Sequence, residues 1–375
     1  MKSFQSKTGL FFLILFLGPS GAFGQQQPDF ASERLPSLMA SIRITPPLAI
    51  FGEQVPLDNP DVRERLEKEL LLILWNRPQV ILWIKRSGRY FPHMEKILKE
   101  NNMPEDLKYL AIIESALMPH ARSSQGAVGF WQFMEETGLR YDLRINPRID
   151  ERRDIFASTR AAVNYFKKLY KIFGSWALSA AAYNMGEKGL QAEILVQKIN
   201  SYFQLYLPLE TQRFIFQIIS AKLILTQPEK YGFELNDSDL YPPLQFDRIQ
   251  LEIRQKTSLE HIARAANTYF KVVKDLNPQI RGYYLYQGTH HILIPAGASK
   301  GFHERLQEML KDSQTSDQAH IYIVKTGDSL SKIAGEFNVP LPALLIWNHL
   351  DLNKPIHPGN RLIIYPEQKA PKTKG

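Results

Sequence analysis

The sequence predicts a mainly α domain followed by two small α+β units, each with the order β-α-α-β. Three observations predict it. From Asp61 to Leu225, apolar residues recur at three- and four-residue spacing with charges between them, the period of helices with one buried face. After Gly232 short strand-like runs alternate with short helical ones, and residues 246–296 and 320–366 repeat each other. At 375 residues, 44% of them hydrophobic, the chain has material for more than one core.

Residues 1–24 have the make-up of a signal peptide. Lys2 and Lys7 give a positive start, Leu10 to Leu17 is wholly apolar, and Ala22-Phe23-Gly24 offers small residues where a signal peptidase reads them. The apolar run is too short for a permanent membrane span, although an uncleaved signal would hold the chain near a membrane. Residues 25–60, rich in Gln, Pro and Ser, read as a linker without a period.

The helical domain is expected over 61–235. Val62, Leu66, Leu70 and Leu74 open it, and residues 78–84 and 93–98 continue the pattern. Pro104, Glu105 and Asp106 suit the start of a helix that includes Leu107, Leu110, Ile113 and Glu114 and stops before Pro119. Gly126 and Gly129 mark a turn-rich loop, and further helices are expected over 154–172, 176–183 and 209–225.

The first β-α-α-β unit is expected over 246–297, a linker or short helix over 298–318, the second unit over 319–366 and a tail over 367–375. In the second unit Ile321 to Val324 reads as a strand, and Ser329 can cap a helix beginning at Leu330. Pro342 opens another helix, and Pro358-Gly359 turns the chain into a last strand at Arg361. Thr257-Ser258-Leu259 aligns with Asp328-Ser329-Leu330, Leu276-Asn277-Pro278 with Trp347-Asn348-His349, and Ile292 to Pro295 with Ile363 to Pro366. The first copy is degenerate.

A formal net charge of +8 suits an acidic polymer or a membrane surface, or serves solubility alone. No basic run interleaved with aromatics argues for nucleic acid. There is no cysteine, hence no disulfide, thiolate metal site or lipidated cysteine behind the signal segment. His290-His291 adjoins a strand and faces alternate sides, and His-Glu-x-x-His spacing is absent, so no metal or other cofactor is expected.

Glu114 is the candidate for chemistry. It ends an apolar helical run and is followed by Gly129-Phe130-Trp131-Gln132 and, further on, Ala182-Tyr183-Asn184-Met185-Gly186. A carboxyl among Ile112, Ile113, Phe130, Trp131 and Phe133 should have a raised pKa and keep a proton to give near neutrality. Aromatics and amides nearby suit a sugar polymer, apolar on its faces and hydrogen-bonding at its edges. Glycosidic-bond cleavage is the chemistry this implies.

These motifs resemble a known family. Ile113-Glu114-Ser115-Ala116, Pro119-His120-Ala121, Ser123, Gly129-Phe130-Trp131-Gln132, Asp150-Glu151-Arg152-Arg153-Asp154, Ala182-Tyr183-Asn184 and Leu207-Pro208 with Glu210-Thr211 are similar to the lytic transglycosylases with a lysozyme-like SLT domain. Tyr322 to Leu330 and Pro358-Gly359 are similar to a LysM module. The resemblance implies a mainly α lysozyme-like catalytic domain followed by small α+β LysM-type modules. It also implies one catalytic glutamate, Glu114, and a substrate of peptidoglycan glycan strands, in the periplasm or cell envelope of a bacterium. Ser123, Gln132, Tyr183 and Asn184 would line the cleft around the bond to be cut.

Gly327, Asp328, Ser329, Leu330, Ile356, Pro358 and Gly359 would shape a shallow groove for N-acetylglucosamine. The first repeat lacks the Gly-Asp of that turn, which leaves its sugar binding open. Each cleft residue also has a plainer reading: Ser123 as a turn cap, Gln132 as a brace of its loop, Tyr183 as core, Asn184 as a helix terminator. A second carboxylate among Glu135, Glu136, Asp142, Asp150, Glu151 and Glu210 would favour hydrolysis on the same fold, and a dead catalytic site would leave a wall-binding protein. The oligomeric state is not legible.

Overall fold

The computed structural model describes residues 37–316, 320–348, 350–352 and 354–365. The expected signal peptide, the start of the expected linker, residues 317–319 and the tail over 367–375 lie outside the described residues.

The first core begins before the expected helical domain. A short helix α1 (Leu38–Ser41) leads to a hairpin of β1 (Ala49–Ile50) and β2 (Glu53–Gln54). Ile44, Leu48, Ile50, Phe51, Val55 and Leu57 are all buried in the same cluster as the main helices. Residues 37–60 are therefore part of the domain and not a linker. Their apolar spacing follows a two-residue turn at Phe51-Gly52, too short a pattern to show a period.

Two long helices follow, α2 (Pro60–Trp75) and α3 (Arg77–Glu100). Asn59 caps α2 by accepting from the Asp61 amide, with Pro60 at the first helical position. Helix α3 joins the two expected segments into one despite Pro92. An interior proline costs a helix about 3 kcal/mol, but Val80, Trp83, Ile84, Phe91, Met94, Ile97 and Leu98 form one continuous buried face, and packing outweighs the break.

Helix α4 (Leu107–Ser115), the short α5 (Glu135–Arg140), α6 (Ile155–Phe173), α7 (Trp176–Met185), α8 (Glu187–Gln197) and α9 (Leu209–Thr226) complete the domain. Helix α8 was not expected: of its side chains only Leu190 is buried, so no apolar period marks it. Helix α9 is the hub, packing against α2, α4 and α7. Its Arg213 forks onto the buried carboxylate of Glu69 in α2, Nε to Oε1 at 2.6 Å and Nη2 to Oε2 at 2.9 Å, a paired geometry that satisfies both groups.

The first repeat has β3 (Phe246–Ile253), β4 (Thr257–Ser258), α10 (Leu259–Ala265), α11 (Phe270–Leu276), β5 (Tyr284–Leu285) and β6 (Gly288–Pro295). Strand β3 pairs antiparallel with β6, and β4 with β5. The stretch 298–318 contains a helix, α12 (Phe302–Ser316), that belongs to this unit, with Phe302 and Leu306 in its core. The second repeat has β7 (His320–Ile323), α13 (Leu330–Glu336), α14 (Leu341–Asn348) and β8 (Arg361–Ile364), with β7 antiparallel to β8.

One side-chain device recurs in both units. Asn277 Nδ2 donates to the Val273 and Leu293 carbonyls, and its Oδ1 accepts from the Leu293 amide. Asn348 makes the same three bonds with Leu344 and Ile363. Each Asn pins the end of the second helix of its unit to the last strand.

Candidate active site

The site is built where α4 ends. Left-handed Ala116 (φ 52°) and Leu117 (φ 57°) stop the helix, and Arg86 Nη1 from α3 donates to the Ala116 carbonyl at 3.0 Å. The buried hydroxyl of Ser115 lies 3.0 Å from the Ala111 carbonyl and 2.8 Å from that of Phe130, fastening the helix end to the following loop. Glu114 stands one residue before this fastening. Its side chain is half-buried and closely surrounded by protein. Burial, and then the negative charge of Glu210, push its carboxyl up to about 8. At neutral pH Glu114 holds its proton.

The loop fastened to the end of α4 is held by buried contacts. Gly129 has φ 85°, and a Cβ there would sit 1.8 Å from the Arg152 carbonyl oxygen, so only glycine fits. Arg152 is buried and bidentate to Asp150, Nε to Oδ1 at 2.8 Å and Nη2 to Oδ2 at 2.9 Å. Its Nη1 donates to the Phe133 carbonyl at 3.1 Å and the Gly126 carbonyl at 3.2 Å. Trp131 is fully buried, its Nε1 donating to Thr159 Oγ1 at 3.0 Å. Glu151 pairs with Arg144, and Asp154 caps α6 through the Phe156 and Ala157 amides. The Asp150 to Asp154 run is thus the frame of the loop.

Gln132 and Ser123 take up their plainer positions. Gln132, at φ 47°, donates from Nε2 to the Gly129 carbonyl at 2.8 Å and the Ala121 carbonyl at 3.3 Å. Ser123 Oγ accepts from the Ala127 amide at 3.0 Å, so the hydroxyl caps the turn while its own proton stays available.

Helix α7 brings Tyr183 to the same place. Its hydroxyl donates to the Trp131 carbonyl at 2.5 Å, and its ring stacks on Phe166 at 4.9 Å between centroids. Burial first, then the nearby Glu114 and Tyr165, hold the Tyr183 phenol well above its ordinary pKa. Asn184 faces α9: its Oδ1 accepts from Thr211 Oγ1 at 2.7 Å and its Nδ2 lies 3.5 Å from Glu210 Oε1. Of the alternative carboxylates, Asp150, Glu151 and Glu136 are taken by Arg152, Arg144 and Arg140. Exposed Glu210, in the first turn of α9, is the one whose charge reaches Glu114.

Sequence reading missed the residues that hold this arrangement. Glu53 of the hairpin accepts from Ser175 Oγ at 2.8 Å and from the Trp176 and Ala177 amides, capping α7 from outside. Asp106 accepts from the Phe51 amide at 2.8 Å and from Lys222 Nζ at 2.8 Å, tying hairpin, α4 and α9 together. The alternation of Leu48, Ile50, Val55 and Leu57 around Phe51-Gly52 is too short to have signalled the hairpin.

The predicted groove residues of the second repeat gather at one end. The Gly359 amide (φ 89°) donates to the Val324 carbonyl at 2.8 Å, beside the Gly327 turn (φ 85°). Asp328 accepts from the Lys325 amide at 2.8 Å and the Tyr322 hydroxyl at 2.7 Å, bonds that hold its carboxyl below the usual range. Ser329 caps α13, Leu330 is buried, and Ile356 packs on the core beside Pro358. In the first repeat the matching turn is zipped shut: Thr257 and Ser258 pair with Leu285 and Tyr284. The second repeat has Pro355 where the first has Tyr284, and a proline cannot donate to such a pair.

Among the described residues no group of His, Asp or Glu is placed to hold a metal ion, and no helix is long and apolar enough to cross a membrane.

Residues 92–202 match the family described as the Transglycosylase SLT domain, and residues 322–364 match the LysM domain. Over 330 residues, 84% of this chain and 72% of the relative, the sequence is 29% identical to membrane-bound lytic murein transglycosylase D of Escherichia coli K12. A 111-residue stretch is 37% identical to a putative tributyltin chloride resistance protein of Alteromonas sp. M-1, covering 28% of this chain and 53% of that one. Among solved structures, the 70 kDa soluble lytic transglycosylase of Escherichia coli aligns at 16% identity and TM-score 0.34, over 47% of this chain and 30% of that one. An inactive mutant of Pseudomonas aeruginosa Slt aligns at 18% identity and TM-score 0.29, over 40% of this chain and 26% of that one. The chain spans under a third of either solved structure. It carries a transglycosylase SLT domain, with Glu114, Ser123, Gln132, Tyr183 and Asn184 inside the match, and a C-terminal LysM domain.

Proposed function

We propose that this chain is a peptidoglycan lytic transglycosylase that cuts the β-1,4 bond between N-acetylmuramic acid and N-acetylglucosamine. The observation that supports it is Glu114: one half-buried carboxyl, pushed up to about 8 by burial and Glu210, at the end of a pinned helix inside an SLT domain. The Glu114 proton goes to the glycosidic oxygen as the bond to the muramic-acid C1 breaks. The sugar's own 2-acetamido group stabilises the positive charge that develops. Glu114, now a carboxylate with raised basicity, takes the proton of the 6-hydroxyl as that oxygen closes onto C1. The products are a 1,6-anhydro-muramic end and a free 4-hydroxyl, and no water enters.

One carboxyl serves as acid and then base, so no partner at the roughly 5–9.5 Å spacing of two-carboxylate glycosidases is required. Tyr183 and Gln132 hold the Glu114 cleft through the Trp131 and Gly129 carbonyls, and the Ser123 proton is free for the acetamido oxygen. Glu210 favours a second reading, hydrolysis with Glu210 activating water. Mass analysis of fragments released from purified sacculi separates the two: anhydro ends support transglycosylation, and reducing ends with added water sink it. Glu114→Gln should release neither.

The LysM domain is proposed to bind N-acetylglucosamine runs through the Gly327–Leu330 and Ile356–Gly359 turns, and the first repeat, closed by its β4–β5 pair, to bind none there. The proposed place of action is the bacterial cell envelope, reached by export with the expected signal peptide.

A further inference from the structure

At the junction between the helical domain and the first repeat, the fold gathers cations with few anions. Arg153 Nη1 lies 3.1 Å from His120 Nδ1, which must accept from a group that only donates. The buried Arg153 Nε has no hydrogen-bond partner, and Asp150 Oδ2 stands 3.7 Å away, too far for a hydrogen bond. Asp150 is already shared, because Arg152 takes both its oxygens. Burial, and then the positive charges of Arg281, Arg152 and Arg122, lower the pKa of Arg153 against the pull of Asp150, and burial followed by the charge of Arg153 lowers that of Lys274. Asp275 also faces this group, but is paired with Lys271.

Backbone pairing fixes these charges. Ile149 bridges Ile280, the Asp150 amide donates to the Gln279 carbonyl at 2.8 Å, and the Arg281 amide donates to the Arg148 carbonyl at 2.9 Å. Lys274 Nζ donates to the Ile280 and Gly282 carbonyls, bracing the loop that presents Arg281. Arg122, Arg153, Lys274 and Arg281 come from three separate stretches, and assembling them is repulsive unless an anion joins them. Arg122 and Arg281 are exposed and reachable. Arg122 also adjoins Ser123 at the cleft.

We propose that this junction is an anion site for the carboxylates of the peptide stems on the glycan strand being cut. The proposal rests on the peptidoglycan reading above. A stem is attached to the lactyl group of muramic acid, and Arg122, the chain neighbour of Ser123, and Arg281 are exposed for its carboxylates. Guanidinium groups bind carboxylates as paired donors.

The test uses the full chain and three soluble glycan substrates of equal length: with stems, with stems removed, and with stem carboxylates converted to amides. The Arg122→Gln/Arg281→Gln double variant is expected to raise KM about fivefold on stem-bearing strands, the effect of losing charge-assisted contacts at an exposed rim. On the stripped and amidated strands its KM should match the wild type, and Arg281→Lys should keep part of the effect. A wild type that does not distinguish amidated from native stems overturns the proposal, and so does an equal KM rise on all three substrates. Turnover of stripped strands by the wild type tests the transglycosylase reading by itself, so the two can fail separately.

Discussion

The Tyr183 hydroxyl, which feels the charge of Glu114, donates to the Trp131 carbonyl at 2.5 Å and joins α7 to the loop after α4. Tyr183→Phe leaves that carbonyl without its donor in the interior, which costs about 1–3 kcal/mol. Urea unfolding should show a lower midpoint with an unchanged slope. An unchanged midpoint would mean that the bond contributes nothing to the native state.

Glu114 gives the protein a pH dependence of known sign. Its carboxyl titrates near 4.5 when unfolded and is raised to about 8 in the folded site. Stability from this group is complete below the unfolded value and is lost as pH rises toward the folded one. Glu114→Gln should therefore raise the melting temperature at pH 7 and make little difference at pH 4. Turnover by the wild type should fall as pH climbs through about 8, where the acid loses its proton. A melting difference that is the same at both pH values rules out the raised carboxyl.

Glu210 contributes to that shift as the second cause after burial. Glu210→Gln should move the alkaline limb of the rate profile to lower pH while anhydro products persist. Complete loss of turnover at every pH would instead assign Glu210 a direct part in the chemistry.

Gly129→Ala forces a Cβ onto the Arg152 carbonyl at 1.8 Å and strains a φ of 85°. Destabilisation of about 2–4 kcal/mol is expected, from strain and loss of the Arg152 frame. Calorimetry that finds this variant within about 0.5 kcal/mol of wild type, the range of ordinary surface changes, would show that the loop can move aside.

Asn348→Ala removes three bonds that pin α14 to β8. Pelleting with purified sacculi should show weaker association, while turnover of short soluble glycans stays near wild type. Equal pelleting would argue against wall targeting by this domain.

Much of the site was legible because its residue types are few and local. Glu114 after an apolar run, glycines flanking Phe130-Trp131-Gln132 and the aligned Asn277 and Asn348 each declare a local requirement: a shielded carboxyl, a tight turn, a pinned helix end. The hairpin at Phe51-Gly52 and helix α8 were not legible, since two-residue strands and a helix with one buried side chain have no period to detect. Glu53 looked like a linker charge until folding set it over the start of α7.

The sequence by itself determined the helical domain, the two β-α-α-β units, and the setting of Glu114 at the end of an apolar run. Tertiary structure decided that Asp150 and Glu151 are framework, that Glu210 is the charge facing Glu114, and that the first repeat closes its own turn and lends its cations to the junction. The reason is range. Helix periods, caps and turns depend on neighbours a few residues apart, whereas the state of a charge depends on every group packed around it, whatever its place in the chain.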